Sequence, residues 1–119
     1  MSENLDPLIR RAVRTMTERL GEPLTVTDLA AEVRLSPYHF LRMFRRAVGE
    51  TPHRRLVRMR LAQAQRLLES GVTVAETARR CGFSSSSHFS AVFVRETGVR
   101  PSRWIFSPAA SSGPTGKRP

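Results

Sequence analysis

The chain repeats itself. TVTDLAAEVRLS (Thr25 to Ser36) returns as TVAETARRCGFS (Thr73 to Ser84). HFLRMF (His39 to Phe44) returns as HFSAVF (His88 to Phe93), at a slightly longer offset. Gly49 and Pro52 find Gly98 and Pro101 at that same longer offset. The single-residue slip between the two offsets is expected just after Ser36 and Ser84, where a turn runs into a helix. A chain duplicated in this way folds as two similar supersecondary units. Each copy reads as two short helices joined by a tight turn. A helix-turn-helix is a device for laying its second helix in a DNA groove.

Local signals place the helices. Asp6-Pro7 starts the first, with Asp as N-cap and Pro at the first helical position. Leu8, Ile9, Ala12, Val13, Met16 and Leu20 then share one face, and Gly21 and Pro23 end it. Thr25 to Asp28 is a capping-box start, and Val26, Leu29, Ala30 and Val33 form the apolar stripe behind it. Ser36-Pro37 opens a third helix running to Gly49, with Phe40, Met43, Phe44 and Ala47 as its core face. Thr51-Pro52 opens a long fourth helix with the stripe Leu56, Val57, Leu61, Ala64, Leu67 and Leu68, ended by Gly71.

The second copy follows the same plan. Thr73 to Glu76 reads as a second capping box, Val74, Ala78 and Cys81 line a short helix, and Gly82 makes the turn. Ser84 is the expected cap of a helix reaching Thr97, ended by Gly98, and Pro101 starts a last helix with Trp104, Ile105 and Phe106. No strand-like alternation is left. The expected fold is all-α with seven helices. Homeodomain-like helix-turn-helix subdomains span 6–51 and 71–106, and a linker helix, 52–70, joins them. The segment 107–119 has no apolar residue larger than Ala and is expected to be disordered.

Charge sharpens the functional reading. The net charge is +10, from 20 basic and 10 acidic residues, and Lys117 is the only basic residue that is not Arg. Residues 1–33 carry four Arg against six acids, whereas residues 34–69 carry nine Arg against Glu50 and Glu69. The positive charge therefore begins where the first recognition helix begins, as expected of a polyanion binder. A membrane surface fits less well, because no helix pairs its basic residues with a bulky aromatic face.

Other classes find little support. Cys81 is the only cysteine, so no intrachain disulfide forms, and a reducing, cytoplasmic setting is expected. No apolar run approaches about 18 residues, and no signal-peptide pattern opens the chain. His39, His53 and His88 lack metal-site spacing, and no nucleotide-binding glycine loop or catalytic triad is present. Neither a cofactor nor a metal is expected, and neither is enzyme activity. A DNA-repair role with Cys81 as nucleophile is disfavoured by the place of Cys81 on the apolar stripe.

The outer face of the third helix carries Tyr38, Leu41, Arg42 and Arg45. The major groove offers guanine O6 and N7 to Arg and a thymine methyl to an apolar side chain. These four residues are the first base-contact candidates. The longer offset maps them onto Ser87, Ser90, Ala91 and Val94, with no basic counterpart. Ser86, Ser87, His88 and Ser90 remain candidates for base contact on the sixth helix. Free N–H groups at a helix start also hold phosphate, which makes Ser36, Ser84 and Ser85 phosphate candidates together with Arg46, Arg95 and the cluster Arg54, Arg55 and Arg58. The first unit should read bases strongly and the second should mainly clamp the backbone. Val94 on an outer face is either an isolated apolar residue or a protein contact. The linker helix gives a rod of about 28 Å, suited to spacing two recognition helices roughly 34 Å apart along one DNA face.

The motifs LAAEVRLSPYHFLRMFRRAVGETP, RLAQAQRLL and VAETARRCGFSSSSHFSAVFVRETGVRPSRW resemble the DNA-binding domain of the AraC/XylS family of bacterial transcription regulators. The likeness runs from about Leu8 to Phe106. It implies two subdomains joined by a long helix, with recognition helices around Tyr38 to Arg45 and Ser85 to Val94 entering successive major-groove segments of promoter DNA. It also implies a monomer on DNA, more often an activator. No effector domain accompanies the motifs, so the chain is expected to be a short standalone member, controlled by abundance or by a partner, with the DNA-binding fragment of a longer regulator as the alternative. Three features depart from the family pattern: Arg34 where the turn usually has Gly, Thr77 at a bulky aliphatic position, and Ala91 with Val94 where basic residues are common. A rival reading is a protein-interaction module for RNA polymerase or a regulatory partner, with only weak, non-specific DNA binding.

Overall fold

The computed structural model describes residues 5–105. Phe106 and the 107–119 segment, with the disorder expected there, lie outside the described residues. Among the described residues the chain forms seven helices and no strand: α1 (Pro7–Glu18), α2 (Val26–Glu32), α3 (Pro37–Val48), α4 (Pro52–Glu69), α5 (Val74–Arg80), α6 (Ser86–Thr97) and α7 (Pro101–Ile105). The chain divides into two compact units between Met59 and Arg60, inside α4.

In the first unit the start signals act as read. The Asp6 side chain accepts from the Leu8 N–H at 2.8 Å. Thr25 and Asp28 form a full capping box, each side chain bonded to the other's N–H at 3.0 Å. Ser36 Oγ accepts from the His39 N–H at 3.1 Å, with Pro37 filling the first helical position. Each such cap contributes about 1 kcal/mol. The core of this unit holds Ile9, Ala12 and Met16 of α1, Leu29 and Ala30 of α2, Val33 just after it, Phe40 and Phe44 of α3, and Leu56 of α4. The Phe40 and Phe44 rings pack 5.7 Å apart in tilted geometry. Ala47 is a correction. It lies on the Phe40–Phe44 face but is exposed, because periodicity fixes the direction of a side chain and not where the packing partner ends.

The turn after α2 holds Arg34 at a φ of 59°, a positive value for a non-glycine residue. That conformation costs roughly 1–2 kcal/mol, and here Leu35 N–H to Ala30 O at 2.9 Å closes it. The second unit uses glycine at the same place: Gly82 has a φ of 83°, and Phe83 N–H bonds Ala78 O at 3.0 Å.

Two expectations for the second unit need correction. Ser85, not Ser84, caps α6, its Oγ accepting from the His88 N–H at 3.0 Å. Ser85 is thus the partner of Ser36, the other cap, at the longer of the two repeat offsets. Ser84 is an extra residue inside the turn, and the slip falls before the caps. The run of four serines hid this, since each has the side chain of a cap and only the turn decides which is used. The second capping box is also only half made. Thr73 Oγ1 accepts from the Glu76 N–H at 3.1 Å, but the Glu76 carboxylate accepts from Arg79 and Arg80. Those bonds hold the Glu76 carboxyl down at about 2. Their contribution is present above the ordinary glutamate range and fades as pH falls towards about 2. On an exposed surface it is small and weakened by salt.

The second core buries Leu61, Ala64, Leu68, Thr77, Ala78, Cys81, Phe89, Val92 and Phe93. Val57 and Leu67, also on the expected stripe of α4, are only partly buried. An aromatic row runs through the second unit: Phe83 to Phe89 at 5.0 Å, Phe89 to Phe93 at 5.5 Å, and Phe93 to Trp104 at 5.4 Å. Trp104 Nε1–H donates to Glu69 Oε2 at 3.1 Å and ties α7 to the end of α4. Gly49 and Gly98, partners in the repeat, end α3 and α6 in the left-handed conformation.

Thr77 is fully buried, and its hydroxyl oxygen has no hydrogen-bond partner. A buried polar group left unpaired costs about 1–3 kcal/mol. Thr77→Val, which keeps the shape and removes the hydroxyl, should raise the stability of the second unit by roughly 1 kcal/mol or more. Urea unfolding followed at Trp104 measures it, and an unchanged or lower midpoint would show that the hydroxyl is not a liability.

Candidate nucleic-acid interface

Ser36 and Pro37 fix the start of α3, and Phe40 and Phe44 fix its rotation. What remains outward is Tyr38, Arg42, Arg45 and Arg46, all exposed. Tyr38 is 70 % exposed, and the Arg42 guanidinium carbon lies 5.6 Å from its ring centre. The ring face attracts the cation and limits where the guanidinium can point. Leu41 is partly buried, not the exposed leucine expected from the helical wheel. Part of its side chain supports the unit and part remains at the surface.

Ser85, Phe89 and Phe93 orient α6 in the same way. Ser84 and Ser85 precede it at the surface, and Ser86, Ser87 and His88 of its first turn are exposed. His88 packs near Phe83, ring centres 5.9 Å apart. Ser90 is partly buried, while Ala91, Val94 and Arg95 are exposed. At the first helical position α3 has Pro37, which lacks an N–H, and α6 has Ser86, which has one. The start of α6 thus presents one more backbone donor than the start of α3. Arg95 Nε lies 3.6 Å from Glu96 Oε2.

The arginines opening α4 are not equivalent. Arg54 is exposed. Arg55 and Arg58 both reach Glu50 Oε2, at 3.5 Å and 3.1 Å. Sequence reasoning counts all three as phosphate contacts and misses the acid just before Pro52 that holds two of them. It misses Arg60 as well. That residue is partly buried, desolvation pushes its pKa down, and its guanidinium sits where a side chain at Gly82 would go, 3.1 Å from an added Cβ. Arg60 therefore packs on the turn that leads into α6.

Cys81 is fully buried, and burial pushes its thiol up to about 11. At neutral pH it stays protonated, without the thiolate that nucleophilic chemistry needs. Among the described residues no cluster of His, Cys, Asp and Glu could hold a metal, and no helix is long and apolar enough to cross a membrane.

Two outward helix faces on duplicated frames invite comparison with known proteins. The family model described as a helix-turn-helix domain matches residues 29–105. Among solved structures, a transcriptional regulator with an AraC-type DNA-binding domain from Chromobacterium violaceum is 28% identical, with a TM-score of 0.78 over 91% of this chain and 95% of that one. The chain belongs to the AraC-type helix-turn-helix family.

Other similar proteins share a higher identity. The DNA-binding domain of AdpA, a global transcriptional factor solved in complex with a target DNA, is 34% identical, with a TM-score of 0.83 over 93% of this chain and 100% of that one. The transcriptional activator RhaR of Cronobacter sakazakii is 37% identical over 71% of this chain and 30% of its own length. RhaR of Salmonella schwarzengrund is 31% identical over 83% of this chain and 36% of its own. The chain thus spans about a third of the length of the curated relatives it matches. Arg34 carries backbone strain in the first unit and Thr77 an unpaired hydroxyl in the second.

Proposed function

We propose that this chain is a sequence-specific DNA-binding transcription regulator, acting as an activator. In this reading α3 reads bases in one major-groove segment and α6 docks in the next on the same DNA face. Arg42 and Arg45 address guanine edges, Tyr38 and the surface part of Leu41 address neighbouring bases, and Ser86, Ser87, His88 and Ser90 are the contacts of α6. Phosphates are held by Ser36, Arg46, Arg54 and Arg95, by the α6 start at Ser84 and Ser85, and by Arg55 and Arg58 once they leave Glu50. Two recognition helices in one chain suit a monomer on DNA.

The observation that carries this reading is the outward face of α3. It combines an exposed aromatic, a cation over its ring, and a second and third arginine, on a helix whose opposite face is locked by two buried phenylalanines. A solvated helix face needs no tyrosine 70 % exposed to water. The RhaR activators and the AdpA domain on its target DNA support the same direction.

Genomic fragments retained by the protein, once sequenced, test it. They should cluster upstream of transcription starts, and run-off transcription from them should rise when the protein is added. Retention that is sequence-blind and lost with salt would favour the rival reading, a module for RNA polymerase or a regulatory partner.

Glu50 makes a separate prediction. Glu50→Gln removes the anion that holds Arg55 and Arg58, so DNA binding should tighten. Its log–log salt dependence should steepen by about 0.9 for each arginine that gains a phosphate. Fluorescence anisotropy at several salt concentrations measures both, and an unchanged slope would place these arginines off the DNA.

A further inference from the structure

We infer that the Ser90, Ala91 and Val94 face of α6 is a thymine-methyl reading surface, a proposal that rests on α6 being a major-groove helix. Ser87, Ser90, Ala91 and Val94 share one face of α6 at helical spacing and are the repeat partners of Tyr38, Leu41, Arg42 and Arg45. Among the described residues the large hydrophobics left exposed are Tyr38 and Val94. Each lies on the outward face of a recognition helix. A single exposed valine is ordinary, but this one is not alone. With Val74, Ala91 and Pro101 it lines an open groove of about 510 Å³, which Ser90, Ser102 and Arg100 complete.

The chemistry selects the ligand. Thymine's C5-methyl is the apolar group that base edges present in the major groove, and apolar side chains, alanine among them, contact it. Ala91 and Val94 give a guanine edge no donor, so the contact that Arg42 and Arg45 offer is absent here. The Ser90 hydroxyl can donate to thymine O4 or accept from adenine N6–H. Among the described residues no acidic one lines the groove, and Arg100 supplies positive charge beside it, which suits the flanking phosphates. The second unit thus does more than clamp the backbone: it favours T·A pairs by burying methyl groups.

Deoxyuridine is the direct probe, since it deletes the methyl and leaves the pairing edge intact. DNA recovered by selection with the full chain is resynthesised with deoxyuridine at each thymine of the α6 segment, and affinity is compared at one salt concentration. Loss of one buried methyl should weaken binding about fourfold. Val94→Ala should abolish most of that difference while leaving sensitivity in the α3 segment unchanged, with circular dichroism confirming the fold. Hydroxyl-radical footprinting of the same duplexes reports whether the α6 segment is covered. A covered segment that is indifferent to deoxyuridine overturns the methyl-reading proposal and leaves α6 in the groove. An uncovered segment overturns the placement of α6 itself, and the methyl-reading proposal with it.

Discussion

Replacing Phe93 with alanine is expected to cost the second unit about 3–5 kcal/mol, the usual penalty for deleting a buried phenylalanine. Phe93 is fully buried and stands in the middle of the aromatic row, in contact with Phe89 on one side and Trp104 on the other. A unit of this size buries a small core and has little stability to spare. The loss should therefore approach complete unfolding of α5 to α7. Trp104 is the only tryptophan, so its fluorescence in a urea titration reports this unit alone. A shift below about 1 kcal/mol would mean that the row is not the core of the unit. Phe44→Ala makes the matching change in the first unit and should weaken it without moving the Trp104 signal in the same way.

Arg42→Ala is expected to weaken specific binding by about 1–3 kcal/mol and to relax preference at one base pair. The guanidinium is exposed and held near the Tyr38 ring, and the ion pairs among the described residues of this unit leave it out. Such a group is available for a planar, bidentate contact to guanine. Binding to a panel of single-base variants of the selected site distinguishes the two uses of an arginine. A base contact gives a loss confined to one position. A phosphate contact gives a uniform loss across all sequences and a slope reduced by about 1.

Much of the frame was legible in the sequence because its signals are local. Asp6-Pro7, Ser36-Pro37, Thr25 with Asp28, and the paired glycines Gly49 and Gly98 each act through bonds to near neighbours in the chain, so spacing alone identifies them. The repeat also exposed Arg34, since its partner Gly82 marks the position as left-handed. What could not be read depends on geometry across space. Four serines in a row offer equal chemistry, and only the turn after Ala78 selects Ser85 over Ser84. Ala47 and Leu41 depend on where neighbouring helices end. Glu50 lies five and eight residues from the arginines it holds, a spacing that means nothing until Pro52 starts a helix between them. Arg60 carries no local signal in the sequence, and only the fold shows that it packs on the Gly82 turn. At the candidate interface the residue types of α3 were sufficient to nominate it for DNA. On α6 the repeat offset nominated Ser86, Ser87, His88 and Ser90, but left the use of Ala91 and Val94 open, since alanine and valine suggest a surface only once their exposure is known.

The central claim is that one duplicated scaffold carries two unequal reading faces. Selection from a random duplex library, with the energy contribution of every position measured by sequencing, tests it most directly. Two specified segments are expected, centred about one helical turn apart. The segment read by α3 should carry the larger share and include guanine, and that read by α6 should carry a smaller share, confined to T·A pairs. Two segments of equal strength, both guanine-bearing, would contradict the asymmetry, and a library returned without any motif would contradict sequence reading altogether.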